Sequence, residues 1–571
     1  MSFPFRCVQA AGRLVLALGL CAASHRVKCH AEVRLVPVDD SGLRFVLENA
    51  PTVSKRPIET LAGGLAVLDY DADGRPDVFF TNGAAPDSLR KSDPKYSNRL
   101  FRNMGGLGFL DVTASAGVGG DGYSMGAACA DFDNDGHVDL FVAGVFRNFL
   151  YRNRGDGTFE DVTARSRIDD SDWIVAAGWF DYDRDGLLDL MAVRYADWSL
   201  DFDKYCGDRV RGLRVYCHPK NFTPIASRLY RNLGEGEFED VSGETGISQF
   251  RGRGMSVAFA DFDGNGWQDA FITNDYLPNF LFLNKDGASF IEDGLLAGTA
   301  LLDHGRPVAS MGVDAADFDN DGDPDLAVTA LTNETFPLFR NEGGGSFRDA
   351  TVQSGLARAS RNYAGWASVF ADFDNDGQVD LFTSNSHVNP LIAEFEPFAY
   401  EQSNTLFRNS GSSFRDAWEI GGAGAYRGAA VADFDGDGRL DVVVSELGGP
   451  AMLYRNVSEP VGSWVALALE GTVSNRDGIG AAVRVGGQTR WMKSSVGYAS
   501  SSLRPVHVGL GRSAATVRVN IQWPSGVVQT LETVPLNQLT VVWETEKEAG
   551  ARPVDSLSSP ELGDGRSGPA R

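Results

Sequence analysis

The chain reads as all-β: a seven-bladed β-propeller followed by a small C-terminal β domain. Three observations predict this. The pattern Asp-x-Asp-x-Asp/Asn-Gly-x-x-Asp occurs seven times at intervals of 50 to 80 residues, a spacing that marks a repeat architecture. Around each copy run four short strand-like segments joined by turns, the content of one blade. Residues 463–545 alternate like strands but contain no copy of the pattern.

The elements follow in chain order. Residues 1–31 read as a signal peptide: Arg6 and Arg13 precede the apolar run Leu14–Ala23, and the small-residue stretch Ala22-Ala23-Ser24 places cleavage near residue 24 or 31. No later segment reaches 18 apolar residues, so no transmembrane anchor is expected. Residues 32–460 form the propeller. In each unit a small-residue strand, such as GAACA before Asp131 or GAAVA before Asp433, leads into the acidic loop. An apolar strand such as DLFVAG follows, then Leu-Tyr/Phe-x-Asn starting at Leu100, Leu150, Leu229, Leu281, Leu338, Leu406 and Leu453. A glycine turn then leads to Phe-x-Asp-Val/Ala.

That last strand follows only six of the loops. Val33–Phe45 (VRLVPVDDSGLRF) resembles it and its tail, so this N-terminal segment is expected to complete the final blade and remove the open sheet edge. Residues 461–545 make the second β domain. Residues 546–571, rich in Pro, Ser, Gly and charge, are expected to be disordered.

The loops carry the chemistry. Alternate carboxylates before a glycine can wrap oxygens around one hard cation, the glycine permitting the sharp turn. Oxygen-only ligands favour calcium or magnesium over zinc or copper, which prefer nitrogen and sulfur, and four carboxylates suit calcium better than magnesium. The expected ligands are the side chains at positions one, three, five and nine and the carbonyl at position seven. They are Asp69, Asp71, Asp73, Arg75 and Asp77 in loop one; Asp131, Asp133, Asp135, His137 and Asp139 in loop two; and Asp181, Asp183, Asp185, Leu187 and Asp189 in loop three. Loop four offers Asp261, Asp263, Asn265, Trp267 and Asp269, and loop five Asp317, Asp319, Asp321, Asp323 and Asp325. Loop six offers Asp372, Asp374, Asp376, Gln378 and Asp380, and loop seven Asp433, Asp435, Asp437, Arg439 and Asp441. Up to seven Ca2+ ions are expected, one per blade.

An EF-hand is excluded. It needs a bidentate Glu at loop position twelve, where these loops have Phe80, Val142, Ala192, Ile272, Val328, Thr383 and Val444. Composition agrees with the metal reading. The chain has 77 acidic and 52 basic residues, net charge −25, and the seven loops hold 27 of the acids at ligand positions. Without those 27, acids and bases nearly balance. The acidic excess is therefore the loops, and it argues against nucleic acid as a partner.

Function is expected where repeats differ. Loop start and Leu-x-x-Asn start lie 19 to 21 residues apart in blades two, four, five and seven, but 31, 48 and 34 apart in blades one, three and six. The longest insertion holds Tyr195, Trp198, Tyr205, Tyr216 and Phe222 between or near Cys206 and Cys217, which in an exported protein are expected to pair. Cys129, in an apolar strand, is expected to be a buried thiol. The seven histidines follow no ligand or triad spacing; His218 and His387 lie in or near insertions. No catalytic residues are assigned. An extracellular protein or glycan partner bound through the inserted loops is the first expectation. The alternatives are a hydrolase or lyase acting on a surface polymer in the channel, and a structural envelope or matrix protein.

These motifs resemble a known family. The repeats are similar to FG-GAP or VCBS-type units. The segments NRDGIGAAVRV, KSSVGYASSS, VHVGLG and IQWPSGVVQTLETV resemble the ASPIC/UnbV domain. Together, over roughly residues 32–545, they resemble the cartilage acidic protein family and its bacterial relatives. The resemblance implies a secreted calcium-binding propeller with extracellular interaction roles, or a periplasmic or cell-surface one in a bacterium.

Overall fold

The computed structural model describes residues 33–168, 171–459, 461–512, 516–545 and 551–553. The leader lies outside them, as does most of the segment after residue 545. Seven antiparallel sheets each hold one acidic loop between their first and second strands. Blade two shows the plan: Tyr123–Ala130, Asp139–Val145, Phe149–Asn153 and Phe159–Asp161 pair in sequence order. The first strands contact one another in sequence and the seventh returns to the first, closing a ring. Those strands converge on one axis, which accounts for their Gly and Ala content: little room is left for side chains there.

In the seventh blade the outer strand is Leu35–Pro37, paired antiparallel with Met452–Asn456. The two ends of the propeller segment therefore meet in one sheet, and that sheet has no open inner seam.

The C-terminal region is more than an appended domain. Ser463–Glu470, Val506–Gly511 and Leu539–Trp543 form one sheet, and Ala482–Val485, Gln488–Trp491, Thr516–Gln522 and Val528–Pro535 another. Val465, Leu467, Val483, Ile521 and Trp523 from both sheets share a core that continues into blades two and three. Ala551–Pro553 add an edge strand to Leu539–Trp543. At those three residues the expectation of a disordered tail is corrected: backbone pairing to an open sheet edge overrides the polar composition.

From this domain a hairpin, Ser495–Val496 with Ser500–Ser502, enters the propeller axis and adds to the first strand of blade one, Ser501 and Ser502 lying parallel to Ala66 and Val67. Its tip, Gly497-Tyr498-Ala499, is held from around the ring. Val313 N–H donates to Gly497 O at 3.0 Å and Ala127 N–H to Ala499 O at 3.1 Å. Ser502 Oγ–H donates to Val431 O at 2.8 Å, and Tyr498 O–H to Leu61 O at 2.6 Å. The Tyr498 ring meets Trp366 of blade six edge-on at 4.9 Å. A Cβ on Gly64 would lie 2.0 Å from Ala499 O, so glycine is required there for the hairpin to pass. The channel is filled by the chain's own C-terminal region.

Candidate metal centres and the inserted face

The acidic loops share one plan, except that in loops three and four the fifth-position N–H donates to the third carboxylate, Asp183 or Asp263, in place of the first. In loop two, Asp131 Oδ1 accepts from Asp135 N–H at 3.0 Å and Oδ2 from Gly136 N–H at 2.7 Å. Asp135 Oδ1 in turn accepts from His137 N–H at 3.0 Å. All seven sixth-position glycines have φ between 82° and 102°, a conformation glycine adopts without steric cost. Asp139 fastens the loop to the sheet, accepting from Phe132 N–H at 3.1 Å and Asn153 N–H at 2.7 Å.

The Leu-x-x-Asn asparagine ties blade to blade. Asn153 Nδ2 donates to Val138 O within its own loop at 3.0 Å and to Tyr70 O of the preceding loop at 2.8 Å. Asn232, Asn284, Asn341, Asn409 and Asn456 repeat the bond to the preceding loop, and Asn103 reaches Phe434 O of blade seven at 2.9 Å. Seven buried amides thus run once around the ring.

Each loop leaves one buried carboxylate oxygen without a hydrogen bond: Oδ1 of Asp71, Asp133, Asp319 and Asp435 at position three, Oδ1 of Asp181 and Asp261 at position one, and Oδ2 of Asp380 at position nine. Asp69–Asp71–Asp77, Asp131–Asp133–Asp139, Asp181–Asp183–Asp189, Asp261–Asp263–Asp269 and Asp317–Asp319–Asp325 each bring ligand oxygens within 4.8 Å of one another, with two further such groups. In loops six and seven the first carboxylates, Asp372 and Asp433, take the same Gly N–H bonds. The structure therefore gathers positions one, three and nine. The fifth residues, Asp73, Asp135, Asp185, Asn265, Asp321, Asp376 and Asp437, hold the turn by accepting from the seventh residue's N–H. Arg75, His137, Leu187, Trp267, Asp323, Gln378 and Arg439 are those donors.

The electrostatics are those of clustered buried anions. Burial first, then the neighbouring carboxylates, pushes Asp69 up to about 6 and Asp77 to about 8. Asp131 rises to about 8 through burial and the adjacent Asp477, and Asp325 to about 9 chiefly through burial. Orphaned oxygens and raised carboxylates fit a divalent, oxygen-seeking cation. Sequence reasoning missed a partial substitute for it. The arginine in Leu-Tyr/Phe-Arg-Asn pairs with the third and fifth carboxylates: Arg102 with Asp71 and Asp73, Arg152 with Asp133 and Asp135, Arg231 with Asp183 and Asp185, Arg340 with Asp319 and Asp321, Arg408 with Asp374 and Asp376, and Arg455 with Asp435 and Asp437. The signal was in the repeat itself, beside the asparagine. Blade four has leucine there, and Lys285 approaches Asp263 at 3.5 Å instead.

The C-terminal domain rests on this loop-bearing face. Asp131 N–H donates to Asp477 Oδ2 at 2.7 Å, and Gly462 N–H to Asp374 O at 2.9 Å. Arg490 Nη2 donates to Gly377 O at 3.2 Å. In an antiparallel sheet the connection between strands two and three lies at the opposite end from that between one and two. The insertions of blades one, three and six are all of the second-to-third kind, so they gather on the far face.

There the Cys206–Cys217 disulfide forms, with Cα atoms 5.2 Å apart. Cys129 is a buried thiol, pushed up to about 12 by burial. Tyr195, Trp198 and Phe222 are buried against their own blade rather than displayed: Trp173 meets Tyr195 at 4.7 Å, and Phe202 meets Phe222 at 4.9 Å. Arg211 of the blade-three insertion pairs with Glu394 of blade six, and Tyr216 O–H donates to Glu59 Oε2 at 3.0 Å. His387 is buried and held down at about 4 by that burial, whereas His218 stands at the rim of a cavity over the channel. Among the described residues no helix is long and apolar enough to cross a membrane.

Fold and site together define a propeller of acidic-loop repeats whose channel is occupied by a C-terminal β domain. The chain belongs to the FG-GAP-like repeat family: that family's model matches residues 69–142, 131–192, 223–272, 261–328, 317–383 and 398–444. Residues 471–549 match the ASPIC and UnbV domain. Among curated proteins it is similar to cartilage acidic protein 1 of Xenopus tropicalis, 28% identical over 346 residues, covering 57% of this chain and 50% of the relative. The Homo sapiens protein of that name is 29% identical over 318 residues, covering 53% and 45%. The chain spans about half the length of the curated relatives it matches. Among solved structures, an Agrocybe aegerita lectin is 16% identical with a TM-score of 0.37, covering 68% of this chain and 87% of the lectin, a likeness too weak to bear on function.

Proposed function

We propose that this chain is a secreted calcium-binding propeller acting as an extracellular interaction protein. Calcium occupies each loop, held by the first, third and ninth carboxylates, with the fifth side chain and the seventh carbonyl completing the shell. The partner, a protein or glycan, docks on the inserted face. The observation that carries this reading is the division of the two faces. The loop face and the channel are covered by the chain's own C-terminal region, whereas the three insertions meet on the other side, and long loops on a rigid scaffold are where binding usually sits. Secretion is supported by the basic-then-apolar leader and by a disulfide that oxidising compartments favour. A polymer-cleaving site in the channel is disfavoured by the hairpin that fills it.

The test is capture from the native extracellular milieu by the full chain, with and without calcium, beside an Arg211→Glu/Tyr205→Ala variant. Calcium-dependent capture that the variant weakens supports the reading. Capture indifferent to both would sink it.

A further inference from the structure

Over the plugged channel, on the inserted face, lies a cavity of about 200 Å3. It is small against the roughly 300–1,000 Å3 of ordinary small-molecule sites, so it suits a single ring or a chain end. Trp366 lies among its lining residues, fully buried and backed by Tyr498 of the hairpin. His218 and Tyr276 line it with their rings 4.6 Å apart. None of these aromatics belongs to the repeat pattern.

Asp275 also lines the cavity and is only 7% exposed. Its Oδ2 accepts from Tyr195 O–H at 2.8 Å; its Oδ1 has no hydrogen-bond partner among the described residues. His218 Nδ1 accepts from Lys220 N–H at 3.1 Å. Burial favours the neutral ring, which must therefore carry its proton on Nε2 and can donate there. The cavity thus offers an acceptor, a donor and the rings of Tyr276 and His218, with Trp366 packed behind them.

Charge narrows the ligand. Burial pushes Asp275 up to about 7, with Glu334 raising it and Arg253 lowering it, so it offers little net charge and still disfavours an anion. Against a cation stand two buried guanidinium groups that offset Glu334: Arg253, and Arg427, which stacks over the Trp366 ring at 3.9 Å. What remains is a neutral ligand that both donates and accepts hydrogen bonds and has an apolar ring face. A sugar ring has all three properties.

We propose that this cavity binds one sugar ring, free or at the end of a glycan, with Asp275 Oδ1 accepting from a hydroxyl, His218 Nε2–H donating to another ring oxygen, and the aromatic side chains packing on the ring's C–H face. The proposal rests on the reading of the inserted face as the interaction face.

The experiment is saturation-transfer NMR and calorimetry on the calcium-loaded full chain, using methyl glycosides of common hexoses, N-acetylhexosamines and deoxyhexoses, with choline as a cation probe. The result expected is binding of at least one glycoside, weakened at least about tenfold by Asp275→Asn, which turns the acceptor facing the cavity into an amide donor once Tyr195 O–H takes the remaining oxygen, and by His218→Ala, which removes the Nε2–H donor. His218 is at the rim, so its variant is not expected to disturb folding. No glycoside binding at 20 mM ligand, as an order of magnitude for weak single-ring sites, overturns the proposal. So does binding of choline alone, or glycoside binding indifferent to both variants. Loss of the sugar result with calcium-dependent capture intact fails this proposal only, whereas loss of capture fails the reading beneath it.

Discussion

The ring of asparagines makes a sharp prediction. Asn284 is fully buried. Its Nδ2 donates to Tyr182 O of the preceding blade at 2.8 Å and to Gln268 O at 3.0 Å, and its Oδ1 accepts from Gly287 N–H at 2.9 Å. Asn284→Ala removes three bonds and leaves buried backbone groups unsatisfied. At about 1–3 kcal/mol per buried group left unpaired, and with partial relaxation, the cost is about 3–5 kcal/mol. Asn284→Asp keeps size and shape but turns a donor into an anionic oxygen facing two carbonyls, so it costs at least as much. Urea unfolding of both variants in saturating calcium, followed by fluorescence and circular dichroism together, measures this. A loss below about 1 kcal/mol for both would refute the view that these amides join blade to blade.

Three further outcomes follow from the same structure. In calcium-free protein, Asp69, Asp77 and Asp325 have folded pKa values of about 6, 8 and 9 against 3.8 unfolded; the folded state then holds more protons, so stability falls as pH rises from about 4 to 9, and the calcium-induced rise in Tm is larger at pH 8 than at pH 5. Tyr498→Ala, emptying the fully buried tip of the hairpin, costs about 3–5 kcal/mol in urea unfolding; an unchanged midpoint would mean the hairpin does not seat in the channel. Cys206→Ser/Cys217→Ser, opening a loop of sequence separation 11, loosens the insertion locally by on the order of 3 kcal/mol, read as trypsin cleavage between residues 204 and 220 with little change in the melting of the blades.

Much of the fold was legible because the repeats are local. Loop, apolar strand and Leu-x-x-Asn lie within one unit, so their spacing announced both the sheet and the acidic cluster. The missing seventh Phe-x-Asp strand pointed to Val33–Phe45 for the same reason, and Leu35–Pro37 pairs in the last sheet. The arginines were printed in the repeat, but their contact with the third and fifth carboxylates depends on how one strand lies over the neighbouring loop. The hairpin in the channel was not legible. KSSVGYASSS has no unusual composition, and its burial comes from seven strands that converge on it from 64 to 431 in the numbering. The cavity was hidden similarly: Asp275, His218 and Trp366 come from three different blades. Tyr195, Trp198 and Phe222 of the insertion are used to fasten it down, since an insertion of this length must bury apolar surface to hold one shape.

On the proposed reading, the orphaned carboxylates of the seven loops are calcium sites on which the scaffold depends. Thermal melting of the full chain at pH 7.5, first exhaustively calcium-depleted, then with millimolar calcium, and separately with magnesium, tests it most directly. A Tm raised by many degrees with calcium, and much less with magnesium, is the predicted result. A melting curve that does not move when calcium is removed would contradict it.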